Sequence, residues 1–178
     1  MSTSKSTTPT FKGDIAPAVQ AKIIDFSEVV MKTGAFARST GSTLVLKEVE
    51  VFRRDKDGKV QARVIYTTSV HDDMLNISGD MHGGCAVYLI DICSSMALVV
   101  LGMATDKPWN LVTQAINTVY HAPVPLNAQL EIVNTTLSFG SRTASATTEI
   151  WDVTHNRLCV SAVHNKMKPS DPKPQAKL

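Results

Sequence analysis

Asn76-Ile77-Ser78-Gly79-Asp80-Met81-His82-Gly83-Gly84 runs directly into an apolar stretch, Gly84 to Ala104, whose one charge is Asp91. The paired glycines can open a helix with free backbone N–H groups and the positive end of its dipole. Asp91 follows seven to eight residues later, so it projects from roughly the same face about 11 Å along the axis. A carboxylate on an otherwise apolar helix costs stability unless it is paired or used. Asn76 adds a polar amide upstream. An anion-stabilising helix start and a carboxylate are the makings of a hydrolytic site.

Working outward, residues 1–14 are rich in Ser and Thr with Pro9 and Gly13, and read as a disordered leader. Ile15, Val19, Ile23, Phe26 and Val30 recur at helical spacing, with Pro17 fit for a first turn and Gly34 for a stop. From Leu44 the period becomes two. Two strands flank Asp55-Lys56-Asp57-Gly58, a hairpin turn that lacks the further ligands of a calcium loop. After the glycine-led helix, four runs rich in Val, Ile and Thr span 109–121, 128–139, 142–152 and 157–168. The expected fold is α+β: one antiparallel sheet wrapped around the long central helix, with an extra N-terminal helix. Residues 15–168 form the domain, 15–38 its helical extension and 169–178 a tail. The open sheet edges favour an oligomer.

The 178 residues suffice for one domain with a sizeable core. Eighteen basic and sixteen acidic residues give a net charge of +2, and aromatics are 6%, which argues against nucleic acid. Cys85, Cys93 and Cys159 lack framework spacing and read as free thiols in a reducing compartment. Gly84–Ala104 is long enough to cross a membrane, but Asp91 near its middle would cost about 2.5–3.5 kcal/mol. A buried helix is the expectation, without membrane association. The chain ends Ala176-Lys177-Leu178, a variant of the small-basic-leucine peroxisomal address, so an import receptor is an expected partner and the peroxisome the expected location. The alternatives are cytoplasm and mitochondrion.

The pattern Asn76-x-x-Gly79-x-x-His82-Gly83-Gly84, with Asp91, Tyr120-x-x-Pro123 and Gly140-Ser141-Arg142-Thr143, resembles the PaaI-type hotdog-fold acyl-CoA thioesterases over roughly residues 42–168. The resemblance implies a hydrolase of acyl-CoA in fatty-acid metabolism, without metal or other cofactor. It implies dimers paired into tetramers, each site lying between the glycines of one subunit and the acid of the other. Asp91 would be the general base, or else the direct nucleophile. Gly83 would offer its N–H to the thioester oxygen, and Asn76 would polarise the carbonyl. His82 fits loop-holding better than proton transfer. Thr113 falls where a related mammalian enzyme has a serine that helps position the attacking water. Substrate contacts are expected from Gly84, from Tyr120, His121, Ala122 and Pro123, from Gly140, Ser141, Arg142 and Thr143, and from Lys166, with Lys168 nearby. Rival readings are a hotdog hydratase or dehydratase and a non-catalytic acyl-CoA-binding module.

Overall fold

The computed structural model describes residues 8–170. In chain order the elements are β1 (Thr10–Lys12), α1 (Pro17–Thr33), α2 (Arg38–Gly41), β2 (Val45–Arg53), β3 (Val60–Ser69), a single 3-10 turn at Asp72–Met74, α3 (Gly83–Thr105), β4 (Val112–Tyr120), β5 (Gln129–Phe139), β6 (Thr143–Asp152) and β7 (Arg157–Met167). The seven strands form one sheet in the order β1-β2-β3-β5-β6-β7-β4. All neighbours are antiparallel except β1 and β2, which run parallel, so the sheet is mixed.

α3 packs on the sheet's inner face against β3, β5 and β6, with β4 and β7 beside it. Leu89, Ile90, Cys93, Met96, Ala97 and Val100 are almost wholly buried along it. Each large apolar side chain so buried contributes about 1.5–3 kcal/mol relative to exposure. The helix is long and apolar enough to cross a membrane, with a mean hydropathy of 2.0, yet 61% of that apolar window is inside the fold. That burial accounts for its composition.

Pro17 opens α1 at its first turn and Gly34 follows its end, as the sequence predicts. α1 lies against α3, and Ser27 Oγ meets Tyr66 Oη at 2.7 Å in the interior, joining the helix to β3. The β2–β3 hairpin is closed by Arg54, whose Nε and Nη2 donate to Asp57 at 2.9 and 2.6 Å, and by Gly58 at φ 65°. That turn requires the positive φ glycine supplies.

Two expectations are corrected. Thr10–Lys12 lies within the stretch read as a disordered leader, yet it pairs with Glu48–Glu50 and forms part of the sheet. Gly13 follows at φ 82°, where a Cβ would meet the Val51 carbonyl oxygen at 1.9 Å, so only glycine lets the chain turn away there. Composition conveys polarity but not a partner edge. Second, the parallel β1 makes the sheet not wholly antiparallel. Residues 1–7 and the Ala176-Lys177-Leu178 terminus lie outside the described residues.

Candidate active site

The glycine-led loop is built by short-range bonds. Asn76 Oδ1 accepts from the N–H of Ser78 at 2.8 Å and of Asp80 at 3.3 Å, a side-chain turn that leaves Nδ2 as the amide's donor. Met81 N–H reaches Val124 O at 2.7 Å and His82 N–H reaches Met74 O at 2.7 Å, anchoring the loop on both sides. His82 is the N-cap of α3, its Nδ1 accepting from Gly84 N–H at 2.9 Å. Being an acceptor, Nδ1 carries no proton, so the neutral ring holds its proton on Nε2. His82 therefore holds the helix start, and Gly84, its N–H spent, is not a free donor.

Gly83 is the first residue of the helix, and its N–H has no acceptor among the described residues. The Tyr120 hydroxyl donates to the Gly83 carbonyl oxygen at 2.9 Å. A Cβ on Gly83 would lie 3.2 Å from that hydroxyl, so the glycine permits a close approach. A cleft of about 400 Å³ opens here, lined by Asn76, Gly83, Tyr120, His121, Ala122 and Pro123 among others. His121 Nε2 lies 2.8 Å from Ser161 Oγ at its margin. Six residues singled out in the sequence, Asn76, Gly83 and Tyr120 to Pro123, thus meet at one end of α3.

Asp91 lies elsewhere, about 12 Å further along the helix. Its carboxylate is 44% exposed, and Oδ1 accepts from Thr113 Oγ1 at 2.9 Å. A bulge between Thr113 and Ala115 in β4 aims the threonine at it. Ser95 bonds the Asp91 backbone carbonyl, not the carboxylate, so the acid is not consumed by its own helix.

Behind this pair sits a residue that sequence reasoning missed. His164 on β7 is fully buried, with Nε2 3.1 Å from Thr113 Oγ1 and 3.5 Å from Asp91 Oδ1, and Nδ1 2.6 Å from Ser94 Oγ. Burial, reinforced by the Lys166 ammonium and partly opposed by Asp91, pulls its pKa down to about 4. The ring is neutral at physiological pH. Thr113 spends its one proton on the carboxylate, so His164 donates from Nε2 to Thr113, and its bare Nδ1 faces the Ser94 hydroxyl, whose one proton also lies against the Ile90 carbonyl oxygen at 2.6 Å. No motif marks a histidine among alternating strand residues. Its one signal is placement: it occupies an inward position of β7, where an apolar side chain is the norm.

Lys166 departs from expectation. It is buried, and its ammonium donates to Ser95 Oγ at 2.7 Å beside Asp91, with burial lowering its pKa. It therefore presents no exposed cation to a CoA phosphate. Gly140 and Ser141 also stand apart from the Gly83 cleft. They line a second cavity of about 680 Å³ with Lys107 and Lys168, at the β5–β6 turn where Gly140 N–H bonds Thr143 O. Arg142 and Thr143 are exposed at that turn. Among the described residues no His, Cys, Asp and Glu side chains are grouped to hold a metal ion.

Residues 78–159 match the family model described as the thioesterase superfamily. Over these residues the chain is similar to that superfamily. Solved structures similar to the chain share its hotdog fold. A mouse thioesterase superfamily member 2 structure shares 22% identity at TM-score 0.65, over 86% of this chain and 98% of its own. The PaaI protein of the Escherichia coli phenylacetic acid degradation operon shares 17% at TM-score 0.61, over 84% and 95%. A hypothetical thioesterase from Streptococcus pneumoniae, solved with coenzyme A, shares 24% at TM-score 0.53, over 67% and 86%. No curated protein sequence matches the chain. The matched thioesterase segment contains Gly83, Asp91 and Thr113 but stops short of His164 and Lys166.

Proposed function

We propose that the protein hydrolyses acyl-CoA at sites shared between two copies of the chain. The observation that carries this is the separation of two complementary half-sites along one crossing. Edge strand β4 follows α3, with Tyr120 bonded at Gly83 and Thr113 bonded at Asp91. Within the described residues β4 pairs only with β7, and its Val112, Val119 and Tyr120 are exposed. An apolar open edge of this kind invites pairing. Two copies of β4 paired antiparallel about a point between Ile116 and Asn117 set Tyr120 of one against Thr113 of the other. Gly83 then faces Asp91 across the interface.

In this mechanism Asp91 takes a proton from a water held by Thr113 while the water oxygen attacks the thioester carbonyl carbon. The carbonyl oxygen gains negative charge, which the Gly83 N–H, the helix dipole and Asn76 Nδ2 stabilise. Collapse breaks the carbon–sulfur bond. The protonated Asp91 returns its proton to the departing CoA thiolate. His164 keeps Thr113 oriented, and Tyr120 to Pro123 and the Gly140–Thr143 turn meet the CoA moiety. His82, engaged in capping, takes no part in proton transfer, which disfavours the dehydratase reading.

Thiol release from a panel of acyl-CoAs tests the proposal. Release abolished in Asp91→Asn, with S-alkyl-CoA binding intact, supports it. Binding without release in the native protein leaves a binding module. On the sequence alone, we also propose peroxisomal import through Ala176-Lys177-Leu178.

A further inference from the structure

We infer that the acyl group is received in a partly open chamber between α1, α3 and the loop carrying Trp109, sized for a phenyl ring or a chain of about six carbons. This rests on the hydrolase reading for its occupant. The chamber holds about 180 Å³, bounded by Phe26, Val30, Val99 and Trp109, with Ser95 and Lys166 as polar groups. In other proteins an apolar cavity of about 150 Å³ takes one benzene.

Its position follows from helix geometry. Asp91, Ser95 and Val99 stand at successive four-residue steps and share one face of α3. The Ser95 hydroxyl donates to the Asp91 carbonyl, and Lys166, which donates to that hydroxyl, pairs with Thr113 across β4 and β7. The chamber's polar side is therefore one helical turn from the reacting carboxylate. An acyl chain whose carbonyl sits at Asp91 reaches it by running along that face.

The far wall is built to stay in place. Phe26 and Trp109 meet edge to face with ring centroids 5.0 Å apart at 68°. Gly102 lets Trp109 sit directly on α3, since a Cβ there would lie 2.6 Å from the tryptophan Cβ. The N-terminal helix thus takes part in substrate choice: its Phe26 and Val30 close the chamber against longer chains.

Trp109 reports on its own chamber once the other tryptophan is removed, so the test uses Trp151→Phe protein and thioethers that cannot be hydrolysed. S-hexyl-CoA should change Trp109 emission saturably where CoA alone does not, and bind at least about ten-fold more tightly than S-dodecyl-CoA. Phe26→Ala should erase or reverse that preference, and Val30→Ala should do so if Phe26→Ala fails to fold. Emission that responds no more to S-hexyl-CoA than to CoA, or a chain-length preference untouched by both enlargements, overturns the inference. A seated hexyl group in a protein that releases no thiol from hexanoyl-CoA leaves the chamber standing and defeats the hydrolase reading instead.

Discussion

The buried imidazole of His164 lies 3.1 Å from the hydroxyl of Thr113, which in turn donates to the carboxylate of Asp91 at 2.9 Å. The ring is held neutral by burial, with a pKa of about 4 against an ordinary value of 6.5. A base whose folded pKa is depressed binds more protons when unfolded between those two values. Folding stability therefore rises with pH through that window and is lost as pH falls from about 6.5 toward 4. The full effect is about 3 kcal/mol. Denaturant titrations of the native protein and His164→Gln between pH 4 and 7 should show a shallower pH slope in the variant. Parallel slopes would dissociate His164 from the acid sensitivity.

Asp91→Asn keeps the size and the acceptor for Thr113 but removes the base. General-base catalysis is worth about 10²–10⁴-fold, so kcat should fall by at least the lower figure with KM little changed. If the acid attacks the carbonyl directly and water then opens the mixed anhydride at the aspartyl carbon, single-turnover hydrolysis in ¹⁸O-water places label in the Asp91 carboxylate. A general base leaves that carboxylate unlabelled.

Thr113 separates hydroxyl from methyl. Thr113→Ser keeps the donor to Asp91 and the acceptor for His164 and should stay within a few-fold of native activity. Thr113→Val has nearly the same shape but no hydroxyl, and leaves the His164 Nε2–H without its acceptor. It should lose activity about ten-fold or more in kcat and cost about 1–3 kcal/mol of stability. Equal rates in the two variants would remove Thr113 from the mechanism.

Gly83 permits a test of the oxyanion donor alone. It is the first helical residue, and its predecessor His82 has φ −63° and ψ 135°, the extended conformation a following proline requires. Gly83→Pro therefore deletes the N–H while keeping the helix. Gly83→Ala keeps the N–H and adds the Cβ that presses on Tyr120. Loss of one such donor costs about 10²–10³ in kcat, so the proline variant should fall far below the alanine variant. Similar rates in both would mean that crowding of Tyr120, not the missing donor, matters.

The central helix and the strands beside it were legible because their periods are long and unmixed. Gly83 and Asp91 stood out as candidates because they belong to a pattern of chemistry at fixed spacing, and Thr113 because of the family resemblance; the structure adds that Thr113 bonds Asp91. His164 was not legible, since its importance arises from β4 and β7 being neighbours, a pairing across half the chain's later strands. Lys166 failed for the opposite reason. A lysine near a terminus is normally solvated, yet the alternation of β7 turns it inward beside His164. The Thr10–Lys12 strand depends on the edge that β2 offers, which local composition does not encode.

The separation of Gly83 from Asp91 within a chain yields a complementation test. If each site takes its donor from one copy and its acid from the other, Gly83→Pro and Asp91→Asn proteins are each inactive as homodimers. A mixed dimer contains one site with both defects and one with neither. Co-refolding equal amounts makes half the dimers mixed, with one intact site in two, so activity should recover to about a quarter of native. Charging the exposed β4 positions, Val112→Lys with Val119→Lys, should instead give monomers by sedimentation that keep their circular dichroism and lose thiol release. Recovery no greater than the sum of the parents, together with active monomers, would show that one chain holds a complete site.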